Sequence, residues 1–233
     1  MKSAHRKEIQ FDGITMPIRA FIFDLDGVLT DTAEYHYQAW KQLAEEEGIP
    51  FDREKNEALR GVSRRESLNL LLGGRMISEE QAFRWMELKN SYYLEKIRKM
   101  TPDEVLPGAR ELLAEIRAAG LKLAIASASK NAREVADRLD LIGAVDVLAD
   151  GHSVQRTKPA PDLFLHAAEK MGVPPDTCIV VEDAAAGIEA AQGAGMLTIG
   201  IGPKERVGKA DLVLPNLEGV QIEDLLRKLG GGK

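Results

Sequence analysis

The sequence predicts an α/β protein: a parallel sheet covered by helices on both faces, carrying an inserted all-helical unit. Three observations predict it. From about residue 105 to the C-terminus, short apolar runs alternate with amphipathic stretches, the order expected of a parallel sheet. The apolar runs are continuous rather than alternating, as in strands buried on both faces. Between residues 32 and 104 strand signals vanish, a span too long to be a loop.

Taken in order, residues 1–17 are polar and mixed, with no apolar signal core. The first strand is expected over 19–23. In the insert, Ala39, Trp40, Leu43 and Ala44 mark one helix, which Gly48 ends. Ser78 with Gln81 is a capping-box signature. It opens a long helix through Phe83, Met86, Tyr93 and Ile97, broken at Thr101-Pro102. Pro107-Gly108 opens the next helix, with Leu112, Leu113, Ile116 and Ala119 on its apolar face and Gly120 as its stop. Strands are expected over 121–126, 145–149, 177–181, 197–200 and 212–214. Helices are expected after Asn131, from Pro161-Asp162 to Met171-Gly172, and over 183–194 and 220–229. Gly230-Gly231-Gly232 reads as a flexible tail. The expected division is a discontinuous core, residues 1–31 with 105–233, and a helical cap or lid, residues 32–104.

Composition narrows the function. The 233 residues are 44% hydrophobic and 29% charged, ordinary for a globular chain large enough to fold without disulfides. A net charge of −6 and a pI near 5.4 argue against general affinity for nucleic acid. No stretch approaches the roughly 20 apolar residues of a membrane span. No nucleic-acid or membrane partner is therefore expected, and a cytoplasmic location follows as the default. The single cysteine, Cys178, lies in an apolar run and reads as a small buried hydrophobe.

The chemistry concentrates where strands should end. Asp24 closes the first strand, and Asp26, two residues on, projects to the same side of an extended segment. Two anions that close need a cation or a shared proton, which points to a bound metal, a catalytic dyad, or both. Ser127 and Ser129 follow the second core strand, Lys158 lies in the loop after the third, and Glu182-Asp183 follow the fourth. Open α/β sheets bind ligands at these carboxyl ends, and a helical insert beside them suits a lid. Carboxylate and backbone oxygens suit Mg²⁺, which commonly accompanies phosphate. With a lysine and a serine they describe phosphoryl transfer. One aspartate would serve as nucleophile and the other as proton carrier. No G-x-G-x-x-G follows the first strand, which disfavours a nucleotide-binding dehydrogenase.

FDLDGVLTDT (23–32), Ser127, RTKPAPDLF (156–164) and VVEDAAAGIEAA (180–191) together resemble the haloacid dehalogenase (HAD) superfamily of aspartate-nucleophile phosphotransferases. That resemblance implies a Rossmann-like HAD core with an inserted α-helical cap. It implies Asp24 as nucleophile and Asp26 as general acid/base, with Ser127, Ala128 and Lys158 on the transferring phosphate. Mg²⁺ would be held by Asp24, the Asp26 carbonyl and Asp183, with Glu182 close by. Ala184 stands where relatives often carry serine.

TDTAEYHYQAW (30–40), RGVSRRESL (60–68) and ASASKN (126–131) carry a narrower resemblance, to the sugar-phosphate mutases of that superfamily. It implies that Gly61, Val62, Arg64, Ser129, Lys130 and Asn131 hold substrate and its distal phosphate. His36 and Lys89 would line the lid side, and Thr32 would be the hinge. The implied reaction converts β-D-glucose 1-phosphate to D-glucose 6-phosphate through an aspartyl phosphate and β-glucose 1,6-bisphosphate, in a monomeric enzyme. The same core chemistry would equally serve a sugar-phosphate phosphatase. The first 18 residues have no counterpart in the resemblance and receive no function.

Overall fold

The computed structural model describes residues 7–11 and 14–230; the glycines at 231 and 232 lie outside the described residues. Its organising element is strand β3 (Ala20–Phe23), buried along its whole length. Alternate side chains of a strand face opposite ways. Phe21 and Phe23 accordingly join one hydrophobic cluster, and Ala20 and Ile22 join another on the opposite face.

Strand β4 (Lys122–Ala126) and strand β6 (Cys178–Glu182) flank β3, both parallel to it. Strand β5 (Val147–Ala149) lies outside β4, and β7 (Leu197–Ile201) and β8 (Leu212–Leu214) continue beyond β6. The sheet is six-stranded and parallel, in the order β5-β4-β3-β6-β7-β8. The chain winds outward from β3 to β5, then returns to the centre at β6. The topological switch therefore falls between β3 and β6, where such sheets place their ligands. Helices α5 (Ala109–Ala118), α6 (Ala132–Arg138) and α10 (Ile222–Gly230) supply side chains to the first cluster. Helices α7 (Asp162–Met171) and α8 (Ala185–Gly193) supply the second.

The insert is helical throughout: α1 (Ala33–Glu46), α2 (Arg53–Glu57), α3 (Arg64–Leu72) and α4 (Glu79–Ile97). It has its own apolar centre, formed by Trp40, Leu43, Leu68, Leu71, Ala82 and Trp85. Its two connections to the core run side by side. Thr30 forms an antiparallel bridge with Val105, the Leu106 N–H donates to Leu29, and the Thr30 hydroxyl donates to the Glu104 carbonyl at 2.9 Å.

Three features differ from the sequence expectation. Strand β6 takes in Glu182, and the following helix starts only at Ala185, so Glu182 is a buried strand residue and Asp183-Ala184 form the turn. Helices α2 and α3 were not expected. Helix α2 (REKNE) has no apolar periodicity and stands on its cap, the Lys55 N–H donating to Asp52 Oδ1 at 2.9 Å. In the same way Ser63 caps α3 through Glu66 N–H at 3.2 Å. Before β3, strands β1 (Lys7–Phe11) and β2 (Ile14–Ile18) pair antiparallel. Pro17, one residue from the end of β2, weakened any strand reading there, although proline is tolerated in an edge strand. Among the described residues no helix is long and apolar enough to cross a membrane.

Candidate active site

The ends of β3, β4 and β6 converge. Asp24 follows β3 directly, its N–H bonded to the Val181 carbonyl of β6 at 2.9 Å. From the loop after β5, the Lys158 ammonium reaches beneath it. It donates to Asp24 Oδ1 at 2.5 Å, Glu182 Oε2 at 2.7 Å and the Ala126 carbonyl at 3.1 Å. All three ammonium protons are thus engaged in a buried site. Burial opposes the Lys158 charge, but Asp24 and Glu182 outweigh it and raise its pKa. The other Glu182 oxygen, Oε1, accepts the N–H groups of Asp183 and Ala184 at 3.1 and 3.0 Å. Glu182 thereby fixes both the lysine and the turn carrying Asp183.

Asp26 has a different environment. Its Oδ1 is buried with no hydrogen-bond partner among the described residues. Oδ2 receives a long bond, 3.4 Å, from the Ser127 hydroxyl. Burial first, then the charges of Asp24 and Asp183, push its carboxyl up to about 7. A carboxyl poised near neutrality on a residue that lines the cavity can take or give a proton. The two aspartates on this loop thus differ: Asp24 is salt-bridged to Lys158, whereas the buried Asp26 carboxyl is raised toward neutrality.

Ligand oxygens of Asp24, Glu182 and Asp183 lie within 4.8 Å of one another. This hard, all-oxygen donor set fits a divalent cation. Burial and Asp24 push the Asp183 carboxyl up to about 6, against the pull of Arg60 and Arg206. Arg60, from the cap, donates to Asp183 Oδ2 at 3.1 Å.

The remaining expected residues meet across the seam between cap and core. Arg64 Nη2 and Asn131 Nδ2 both donate to Asn90 Oδ1, each at 2.8 Å. Ser129 Oγ accepts the Asn131 N–H at 3.2 Å, and its own N–H donates to Ser127 Oγ at 3.1 Å. His36 Nδ1 lies 2.6 Å from Lys89 Nζ, and its ring stacks on Tyr93 with centroids 4.1 Å apart. Desolvation, with the Lys89 and Arg64 charges, holds His36 well below its usual pKa, and desolvation lowers the Lys89 ammonium as well. Gly61, at a φ of +71°, lies so close to the core that a Cβ would stand 2.8 Å from Ala184 Cβ. A serine at 184 would crowd the same contact.

A cavity of about 80 Å³ lies among these groups. Asp24, Asp26, His36, Arg64, Lys89 and Asp183 line it, as do Gly61, Val62, Ser127, Ala128, Ser129, Lys130 and Asn131. Lys158, Glu182 and Thr32 do not; the first two stand behind Asp24, and Thr32 is the buried N-cap of α1. The space is below the ~300–1,000 Å³ of typical ligand sites, and contacts such as Arg60–Asp183 join cap and core across it. Sequence reasoning missed Arg60, Asn90 and Trp40, which meet or line the site. Arg60 opens the RGVSRRESL segment and Asn90 follows Lys89, so position beside known candidates was the available signal.

A strand-end aspartate held by a buried lysine, a second buried carboxyl raised toward neutrality and an acidic cluster that fits a cation define an aspartate-based phosphoryl-transfer centre. The chain belongs to the haloacid dehalogenase-like hydrolase family, whose model matches residues 18–195. Among its relatives, a β-phosphoglucomutase of Bacillus subtilis (strain 168) is 42% identical over 210 residues, 88% of this chain and 93% of the relative. A phosphorylated carbohydrates phosphatase of Thermotoga maritima is 34% identical, over 91% of this chain and 98% of that one. The crystal structure of a β-phosphoglucomutase from Clostridium difficile superposes with a TM-score of 0.88 at 41% identity. It covers 92% of this chain and 98% of that chain.

Proposed function

We propose that this chain is a Mg²⁺-dependent β-phosphoglucomutase, interconverting β-D-glucose 1-phosphate and D-glucose 6-phosphate through β-glucose 1,6-bisphosphate. The observation that carries the reading is a second set of anion donors apart from Lys158. Arg64 and Asn131 converge on a single oxygen acceptor across the cap–core seam, with Lys130 beside them on the same cavity. A phosphatase needs one phosphate site; a mutase must hold both ends of a bisphosphate.

Lys158 takes one Asp24 oxygen and leaves the other for phosphorus, so Asp24 carries the phosphoryl group as an acyl phosphate. Asp26 accepts the proton of the sugar's 6-hydroxyl as that oxygen receives the group. After the bisphosphate turns round, Asp24 takes up the 1-phosphoryl group, regenerating the acyl phosphate, as Asp26 returns a proton to the leaving 1-oxygen. Asp24, the Asp26 carbonyl and Asp183 would hold Mg²⁺, which neutralises charge on the transferring group, while Glu182 keeps the lysine in place. Ser127 and the Ala128 backbone complete the transferring-phosphate site. Gly61, Val62, Arg64, Ser129, Lys130 and Asn131 receive the distal phosphate, with His36 and Lys89 on the sugar. Thr32 lies at the hinge of a cap spanning residues 32–104, and residues 1–31 with 105–233 form the core. Closure excludes the water that would otherwise hydrolyse the acyl phosphate. The enzyme would act as a cytoplasmic monomer, phosphorylated on Asp24 during turnover.

A glucose 6-phosphate-coupled assay with β- and α-glucose 1-phosphate in parallel tests this. Activity confined to the β anomer, stimulated by glucose 1,6-bisphosphate and abolished in Asp24→Asn, is the expected result. Release of inorganic phosphate without isomerised product would overturn the mutase reading in favour of a sugar-phosphate phosphatase.

A further inference from the structure

Four charges around Asp183 form a closed ring that spans cap and core. Arg206 lies on the short helix α9 (Lys204–Val207) of the core. Its Nε donates to the Asp183 carbonyl at 2.7 Å, and its Nη2 lies 3.7 Å from Asp183 Oδ2. On the other side, Arg206 Nη1 is 3.6 Å from Oε2 of Glu57, the last residue of α2 in the cap. The same Glu57 oxygen is 3.2 Å from Arg60 Nε, and Arg60 Nη1 returns to Asp183 Oδ2 at 3.1 Å.

Signs alternate around the ring, and two of its contacts, Glu57–Arg206 and Arg60–Asp183, cross the seam. Glu57 is what allows two guanidinium groups to crowd one carboxylate oxygen, because it screens their mutual repulsion. The backbone is shaped for it. Gly202 has a φ of +117°, and a Cβ there would stand 2.6 Å from Arg206 Nη2. A side chain at 202 would have to displace the guanidinium from this position beside Asp183 and Glu57.

We propose that Arg206 is a positioning residue, the core-side anchor that seats the closed cap over the nucleophile by gripping Glu57. Neither Arg206 nor Glu57 lines the cavity, so both act through Arg60 and Asp183. For its kinetic readout the proposal rests on the mutase reading. Glu57 is about half exposed and Arg206 a quarter exposed. Their pairing is therefore of partly screened strength, worth roughly a two- to fivefold change in the closure equilibrium.

The test compares Glu57→Gln, Arg206→Gln, the double variant and Arg206→Lys. Because the cap must close on each substrate molecule, either single change is expected to raise KM for β-glucose 1-phosphate roughly two- to fivefold, with kcat much less affected. The double variant should be no worse than the poorer single one. Arg206→Lys should restore most of the KM, since it keeps a charge opposite Glu57. Small-angle scattering in Mg²⁺ and inorganic phosphate should show a larger radius of gyration for both single variants. Additive effects, an equal loss with lysine and glutamine, or an unchanged KM would overturn the anchor. Should the wild-type enzyme not isomerise the sugar phosphate, the functional reading fails, and scattering alone decides. Unchanged dimensions in both single variants would then refute the anchor.

Discussion

Replacing Lys158 by methionine removes the positive charge beneath the nucleophile and leaves a side chain of similar length against the Phe164 ring. The wild-type ammonium binds Asp24, Glu182 and the Ala126 carbonyl at 2.5, 2.7 and 3.1 Å. In the variant two buried carboxylates face each other, with Asp183 in the same 4.8 Å group. Unit charges about 4 Å apart interact by about 4 kcal/mol at an effective dielectric of 20. Stripping one partner from a buried pair costs about 3–5 kcal/mol, and an orphaned carbonyl costs about 1–3 kcal/mol more. We expect a loss of about 4–8 kcal/mol at pH 8, a large part of the roughly 5–15 kcal/mol that holds a domain together.

The pH dependence has a definite sign. Burial, then the charge of Asp24, already push the Glu182 carboxyl up to about 8, and without the ammonium it rises further above its unfolded value near 4. The folded state then binds more protons than the unfolded one, so its stability recovers as pH falls and is lost as pH rises through the folded pKa. The deficit relative to wild type should therefore shrink from pH 8 to pH 5, and Mg²⁺ should restore part of it at pH 8. Urea unfolding followed by far-UV circular dichroism measures all three. A variant within about 1 kcal/mol of wild type at pH 8, with no pH trend, would refute the assignment of Lys158 as the counter-charge.

Asp26→Asn keeps the shape but cannot exchange a proton. Rapid quench should show phosphoryl transfer to sugar slowed about 10²–10⁴-fold, whereas transfer at the wild-type rate would exclude Asp26 as the proton carrier. Asn90→Ala removes the shared acceptor that pre-aligns Arg64 and Asn131, and KM for the bisphosphate should rise about 3- to 10-fold; an unchanged KM would show that the two donors align without it. Burial pushes the Cys178 thiol up to about 12, so about one thiolate in 10⁴ is present at pH 8. A chromogenic disulfide should release its colour only after denaturant is added, and rapid reaction in the native protein would contradict the burial.

Sheet and site were legible for the same reason. Buried parallel strands such as Ile179–Val181 must be apolar on both faces, so charged residues just past their ends, such as Asp24 and Asp183, are conspicuous, whereas Lys158, well beyond the end of β5, gained its role only in conjunction with them and from the resemblance. The polar cap segments gave no such contrast. Helix α2 presents no apolar stripe, and its formation depends on the single Asp52 cap. The pairing of β1 with β2 involves five residues each, too short for alternation to register around Pro17. Contacts between cap and core were beyond any local pattern. Arg60 and Asp183 are 123 residues apart in the chain, and nothing in either neighbourhood announces the other. Arg206 drew no reading from the sequence, because its partners come from two remote segments.

The paired linkers have a consequence for modularity. Thr30 and Val105 face each other in one antiparallel bridge, and residues so paired lie only about 4.5–5.5 Å apart. The whole helical insert thus enters and leaves the core through a single doorway, a gap that a turn of a few residues can span. The cap's share of the substrate contacts could therefore be exchanged as one unit, while Ser129, Lys130 and Asn131 stay with the core and its phosphoryl chemistry. A core sealed by such a turn would keep its nucleophile, lysine and cation site while losing its shutter against water. It would be a hydrolase of small phosphate esters, and grafting a different insert at the same doorway would redirect it without touching a catalytic atom.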